Sequence, residues 1–276
     1  MTKYLLAAGC SYTDANWKSN LELDYDCSFK KWPELLGNKL NMPVVNLGKS
    51  GIDNSMIFNN ALKKIVEDHE NIRLVCIGWT ESLRFNMYHK IYYNFLEAVS
   101  PKMSFSVLNT QKKQKSIEAA FPFYKWIFER TMDNQSPENS KNLINTAVRD
   151  WLDMIHMLTL ICEKYEIPII HATMISTINR NHFHDFESKM GIQTKWDLKG
   201  AAKMIYNLMM DDYNHLDTDK IIGWPVSELL DGFDVSALIR KDIDKYAVSK
   251  LDTHPSALGH EKIAELYYEK YKEIYV

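Results

Sequence analysis

Three short apolar runs recur in the first part of the chain, at residues 4–9, 43–47 and 72–78, and glycine ends or closely follows each. Runs of this length are typical of strands buried on both faces of a parallel sheet. Helical patterns at residues 29–40 and 55–68 separate them. This alternation predicts an α/β fold with a mostly parallel central sheet.

The remaining pattern is less regular. The longest helical stripe covers residues 140–165, a fourth strand is predicted at 167–172, and a last helix at 256–275. Residues 14–27 are polar and predict a loop. Residues 173–250 show only weak periodicity, so no element is assigned to them.

An aromatic-rich stretch at residues 85–137 interrupts the alternation of strands and helices. The stretch could form a separate domain, but it shows no strand-turn signals. We therefore expect a helical insertion over the sheet edge, within a single domain that spans residues 1–276. Aromatic residues make up 12% of the chain, with 7 Trp and 15 Tyr. They suit a core, or a surface that binds sugars or a protein partner.

Composition excludes several classes of protein. A net charge of −3 without long blocks of one sign argues against nucleic acid and anionic membranes as partners. The 4 cysteines lie far apart, which predicts reduced thiols without disulfides or a zinc site. The first apolar run is too short for an export signal, and no run is long enough to span a membrane. We therefore expect a soluble, cytoplasmic protein.

Two residues at opposite ends of the chain could form a reactive pair. Ser11 follows the first predicted strand, where ligands bind in open α/β sheets, so it is either a nucleophile or a helix cap. His254 precedes Pro255, which favours an extended backbone there. It is either a base that reaches the sheet edge or a surface histidine in a turn.

Four short blocks lie at predicted boundaries of strands and helices: Gly9-Cys10-Ser11 with Thr13, residues 46–51 ending in Gly51, Gly78-Trp79-Thr80-Glu81, and residues 252–260 with Asp252 and His254. They resemble the four blocks of the SGNH (GDSL-like) hydrolases and occur in the order of that family. The general appearance is closest to members encoded by bacteriophages.

This resemblance implies a three-layer α/β sandwich of the SGNH-hydrolase or flavodoxin-like type. It implies that Ser11 is the nucleophile, that His254 takes its proton, and that the N–H groups of Ser11 and Gly51 bind the oxyanion. The substrates of the family are esters and thioesters, including acetyl groups on sugars, and no metal or organic cofactor is needed.

The chain departs from the family pattern at three positions. Cys10 stands where the family has Asp, and Thr80 where it has an asparagine that donates to the oxyanion. Leu251 stands at the usual place of the acid, three residues before the histidine. We expect the Thr80 hydroxyl to serve as an oxyanion donor and Asp252, two residues before His254, to orient the base.

Other polar residues carry weaker signals. Asn54 could contribute an amide to substrate binding or cap the following helix. Arg84 could bind a carboxylate or a sugar hydroxyl, or form a structural ion pair. The segment with His182, His184 and Asp185 is either a metal corner or, as we expect, a solvated loop without a metal.

Two functional hypotheses follow. The first is a serine esterase that hydrolyses small acyl esters, O-acetyl carbohydrate above all. The second is a structural or binding protein of the same fold with weak or no hydrolase activity, for example a component of a phage particle. The second predicts a homo-oligomer, or an interface with other phage proteins through residues 85–135.

Overall fold

The computed structural model describes residues 3–82, 137–176, 207 and 213–276, with side chains omitted for 137–145 and 229. Its strands and helices, in chain order, are β1 (Tyr4–Gly9), α1 (Trp32–Leu40), β2 (Val44–Asn46), α2 (Asn54–Asp68), β3 (Ile72–Trp79), α3 (Pro137–Lys164), β4 (Ile169–Thr173), β5 (Ile221–Ile222), α4 (Val235–Lys241), α5 (Ile243–Tyr246) and α6 (Ala257–Tyr275). Short 3₁₀ turns lie at His69–Asn71, Thr218–Lys220 and Glu228–Leu230.

The five strands form one parallel sheet in the order β2-β1-β3-β4-β5. Every residue of β1 and β4 is buried, which explains why these strands are continuous apolar runs. In this strand order the connections diverge between β1 and β3, and the crevice beyond their carboxyl ends is the expected ligand site. The residues after Gly9 and Trp79 border that crevice.

Helices cover both faces of the sheet. On one face α1 packs against α6, and on the other α2 packs against α3. The α6 side chain Tyr267 stacks on Trp32 of α1 with ring centroids 4.3 Å apart, and its hydroxyl donates to Ile77 O of β3 at 2.8 Å. These contacts fix the middle of α6 against the sheet, and the chain just before α6 carries His254.

The predicted α/β fold with three layers is confirmed, and the predicted strands and helices agree with the structure to within a few residues. β5, α4 and α5 were not predicted because each is too short for a periodic pattern. The expected insertion at residues 85–137 lies outside the described residues apart from the first residue of α3. The extent of the single domain stays a prediction.

Within the described ranges, no helix combines the length and apolar character that a bilayer crossing requires.

Candidate active site

Ser11 lies in a tight turn just beyond β1. The Thr13 N–H donates to Cys10 O at 2.9 Å, which reverses the chain direction. Thr13 then packs over Gly9 and Gly78, which are register partners in β1 and β3. A Cβ on Gly9 would collide with the Thr13 side chain, so the turn requires glycine there. Ser11 is thus held at the carboxyl edge of the sheet with 9% of its surface exposed.

His254 lies in a closed loop between α5 and α6. The Val248 N–H donates to His254 O at 2.9 Å, and the Ser249 N–H donates to Asp252 O at 3.0 Å. Ser256 ends the loop by capping α6, its hydroxyl accepting from the Gly259 N–H at 3.2 Å. The loop geometry therefore turns the imidazole back toward the sheet edge.

The two ends of the chain meet at this edge. His254 Nε2 lies 2.9 Å from Ser11 Oγ, and His254 Nδ1 lies 2.7 Å from Asp252 Oδ1. With an ionised Asp252, Nδ1 carries the proton and donates it to the carboxylate, so Nε2 is left as the acceptor for the Ser11 hydroxyl. This arrangement can transfer a proton from Ser11 to His254.

Asp252 is held in its ionised form. Burial opposes ionisation, but the hydrogen bond and the charge of the His254 ring, together with hydrogen bonds from Ser19 and the His254 N–H, outweigh it, so the pKa of Asp252 lies below its ordinary value. The Ser19 hydroxyl donates to Asp252 Oδ2 at 2.5 Å, and the His254 N–H donates to Oδ1 at 3.1 Å. Leu251, at the usual position of the acid, is 77% exposed.

Trp17 and Ser19, in the loop after Ser11, also contribute to the site and were not predicted from the sequence. The Trp17 ring stacks on the His254 ring with centroids 4.6 Å apart and planes 24° apart. Both Trp17 and Ser19 are buried. The one signal in the sequence was the tryptophan itself. Tryptophan is mostly buried in folded proteins, so its presence in a polar segment indicates that part of this loop packs against the protein.

The loop after β2 is fastened to the Ser11 turn. The Lys49 N–H donates to Gly9 O at 3.0 Å, and the Ser50 hydroxyl donates to Asp14 Oδ2 at 2.6 Å. Gly51 follows with a φ of 79°, in the left-handed region that favours glycine. The sequence-predicted oxyanion residue Gly51 therefore belongs to a loop that is held at the same sheet edge as Ser11.

At the end of β3, two candidate site residues have partners within the protein that the sequence did not predict. The Thr80 hydroxyl donates its proton to Glu81 Oε2 at 2.5 Å, so it does not present that proton to an oxyanion. Asn54 is buried and binds the main chain of Thr80: Oδ1 accepts from the N–H at 2.9 Å, and Nδ2 donates to the carbonyl at 3.1 Å. Asn54 thus links α2 to β3 from inside the protein, and the cap of α2 is Asp53.

Two other candidate positions fall outside the described residues: Arg84, and the segment with His182, His184 and Asp185. In the part of the chain that is described, no group of three or more His, Cys, Asp or Glu side chains is arranged to hold a metal ion. None of the four cysteines is in a disulfide.

Comparisons with known proteins find distant structural similarity. No family model and no curated protein matches the sequence. The structure is similar to a protein assigned to the G-D-S-L lipolytic family from Desulfitobacterium hafniense, with 11% identity, 98% of this chain and 99% of that chain covered, and a TM-score of 0.43. It is also similar to a protein assigned to the SGNH hydrolases from Slackia heliotrinireducens, with 13% identity, the same coverage of 98% and 99%, and a TM-score of 0.43. A variant of an acetyl xylan esterase from Geobacillus stearothermophilus gives 12% identity, 97% and 94% coverage, and a TM-score of 0.39.

At these low sequence identities and TM-scores, the similarities assign neither a substrate to the protein nor a role to any residue. They give no support to the expected bacteriophage origin.

Proposed function

We propose that the protein is a serine esterase that hydrolyses small acyl esters through Ser11, His254 and Asp252. The observation that carries the proposal is the continuous chain of hydrogen bonds from the Ser11 hydroxyl through both ring nitrogens of His254 to the Asp252 carboxylate. A serine with an adjacent base, and a base oriented by a third group, is the arrangement that activates a hydroxyl for acyl transfer.

In the first half of the reaction, Ser11 Oγ attacks the ester carbonyl carbon while its proton passes to His254 Nε2. The Asp252 carboxylate stabilises the imidazolium that forms. The tetrahedral intermediate then collapses, the bond to the alcohol breaks, and the proton on Nε2 goes to the leaving oxygen. Water repeats these steps on the acyl-Ser11 ester, which releases the acid and restores the hydroxyl.

The oxyanion requires donors, and we assign that role to the main-chain N–H groups of Ser11 and Gly51. Both belong to loops at the carboxyl edge of the sheet that are bonded to each other. The Thr80 hydroxyl is left out of the proposal because its proton is used by Glu81. Both proposed oxyanion donors are therefore main-chain N–H groups, which need no reorganisation during the reaction.

The limited exposure of Ser11 favours a small acyl group. With Ser11 only 9% exposed and the buried Trp17 beside the base, a long acyl chain would have to displace neighbouring side chains. Acetyl groups on carbohydrate are the substrate that we propose, because aromatic side chains, which make up 12% of the chain, suit contact with sugar rings.

Hydrolysis of p-nitrophenyl acetate, butyrate and octanoate by the wild type, Ser11→Ala and Ser236→Ala tests the proposal. Ser236 is a matched control, because it is a buried serine whose hydroxyl also donates to a carboxylate, Asp234 Oδ1 at 2.6 Å, and is bonded to none of Ser11, His254 and Asp252. We expect the highest kcat/KM with acetate, loss of nearly all activity in Ser11→Ala, and little change in Ser236→Ala. Release of acetate from acetylated xylo-oligosaccharides then tests the carbohydrate part.

The competing hypothesis, a binding or structural protein without turnover, draws on the engagement of the Thr80 hydroxyl with Glu81. The other sequence feature that favoured this hypothesis was Leu251 at the usual position of the catalytic acid. It no longer argues against catalysis, because Asp252 contacts His254 instead. Equal background hydrolysis by the wild type and Ser11→Ala, together with a stable oligomer in solution, would favour this alternative.

A further inference from the structure

The loop between β1 and α1 contains a serine, Ser19, whose hydroxyl proton has a single available acceptor. Ser19 is 6% exposed, and its Oγ accepts from the Leu21 N–H at 3.2 Å and from the Glu22 N–H at 2.8 Å. A hydroxyl has two lone pairs and one proton, so both lone pairs are occupied by main-chain donors. The proton is therefore directed to the remaining neighbour, Asp252 Oδ2, at 2.5 Å.

This contact divides the Asp252 carboxylate between two partners. Oδ1 accepts from the His254 ring and main chain, while Oδ2 accepts from Ser19. A carboxylate bound at one oxygen alone can rotate about its Cβ–Cγ bond, which has a broad energy minimum. Ser19 restricts that rotation from the side opposite His254.

A second hydrogen bond ties the same two loops together. The Ser249 hydroxyl donates to Glu22 Oε1 at 2.6 Å, and Ser249 Oγ accepts from the Asp252 N–H at 3.0 Å. The loop that holds Ser19 and the loop that holds Asp252 are thus joined at two points, although 233 residues separate Ser19 from Asp252. The position of Ser19 is therefore fixed relative to the carboxylate.

We propose that Ser19 is a positioning residue for the reaction at Ser11, an inference that rests on the proposed esterase function. Its hydroxyl holds the Asp252 carboxylate ionised and aligned with His254 Nδ1 while the imidazolium forms. It does not contact the substrate. The short distance of a hydroxyl to a charged acceptor is typical of a strong hydrogen bond, and misalignment of a catalytic group costs rate more than affinity.

The test combines kinetics with a titration that does not depend on activity. Ser19→Ala, Ser19→Thr and the control Ser236→Ala are assayed with p-nitrophenyl acetate, and the Asp252 carboxyl is titrated by NMR with ¹³C-labelled aspartate. We expect Ser19→Ala to lower kcat about 10-fold with KM nearly unchanged, and to move the Asp252 titration to higher pH. Ser19→Thr, which keeps a hydroxyl, should restore both, and Ser236→Ala should alter neither. If Ser19→Ala does not fold, Ser19→Cys supplies a weak donor of similar size for the same measurements.

The outcomes separate this inference from the proposed function. If Ser11→Ala is inactive but Ser19→Ala keeps the wild-type kcat and Asp252 titration, Ser19 has no positioning role and the esterase proposal stands. If Ser11→Ala hydrolyses as fast as the wild type, the proposed function is wrong and the positioning role falls with it.

Discussion

His254 Nδ1 lies 2.7 Å from Asp252 Oδ1, although Asp252 is only two residues away in the chain. The loop makes this contact possible because it is closed at both ends by main-chain hydrogen bonds, Val248 N–H to His254 O and Ser249 N–H to Asp252 O. The carboxylate also accepts from the His254 N–H, so the main chain and the ring share one acceptor. Orientation of the base thus comes from a local fold of the chain.

We expect Asp252→Asn to lower kcat by about 10²–10⁴-fold, and to cost about 1–3 kcal/mol of stability because the His254 N–H loses its acceptor. The Ser19 hydroxyl will bind the amide oxygen, so the amide NH₂ faces His254 Nδ1 and favours the tautomer with its proton on Nε2. That tautomer cannot accept the proton of Ser11. Steady-state kinetics and thermal unfolding measure the two effects, and a kcat within about 3-fold of the wild type would contradict the role.

The double variant Leu251→Asp/Asp252→Asn tests whether an acid at position 251 can replace the contact of Asp252 with His254. Because Leu251 is 77% exposed, an aspartate there will point into solvent and will not restore activity. Rescue by this variant would show that the loop can present an acid from either position.

The sequence predicts the sheet and the reactive pair for different reasons. β1, β3 and β4 are almost fully buried, so their apolar runs are visible without any knowledge of partners. Ser11 follows a strand and His254 precedes a helix. Local chain geometry sets the position of a side chain at such a boundary, so the resemblance of the short sequence blocks was enough to identify both residues.

The rest of the site could not be predicted because it depends on contacts between distant parts of the chain. Nothing near Ser19 in the sequence indicates a carboxylate 233 residues away. The hydroxyl of Thr80 is redirected by its neighbour Glu81, and the residue types alone do not say which acceptor it chooses. The sequence leaves Asn54 open between substrate binding and a helix cap, because its actual partner, the main chain of Thr80, is a tertiary contact.

Trp17 should contribute to rate through the charge that develops on His254. Its ring stacks on the imidazole at 4.6 Å, and an aromatic face attracts a cation more than a neutral ring. We expect Trp17→Ala to lower kcat about 5- to 30-fold and Trp17→Phe to keep most of it. Both variants are compared with the wild type by steady-state kinetics, with thermal unfolding to separate lost stability. Equal rates for Trp17→Ala and the wild type would exclude this contribution.

Acid pH should destabilise the fold through His260. Burial, reinforced by the nearby charges of Lys31 and His254, lowers the pKa of His260 to about 3. The unfolded chain binds a proton near the ordinary pKa of about 6.5, so the stability due to neutral His260 is complete above that pH and is lost as pH falls toward 3. Between pH 7 and pH 5 this amounts to about 2 kcal/mol.

His260→Asn tests this linkage by urea unfolding at the two pH values. Its side-chain oxygen can replace Nδ1 as the acceptor for the Trp32 N–H, which lies 3.2 Å away in the wild type. We expect the loss of stability between pH 7 and pH 5 to shrink by about 2 kcal/mol relative to the wild type. His215→Asn, at an exposed histidine, controls for removal of an imidazole. An unchanged difference in His260→Asn would show that His260 is not a source of the acid sensitivity.

Thr80→Val separates the two roles that Thr80 could have. Because the hydroxyl donates to Glu81 Oε2, its removal leaves a buried carboxylate oxygen without that donor and should cost about 1–3 kcal/mol of stability. The kcat of the folded protein should fall by less than about 10-fold, since loss of a true oxyanion donor costs about 10²–10³-fold. Thr80→Ser, which retains the hydroxyl, should match the wild type in both measurements. A 10²-fold loss of kcat in Thr80→Val, at about wild-type stability, would return the hydroxyl to the oxyanion site. It would also mean that the contact with Glu81 breaks when substrate binds.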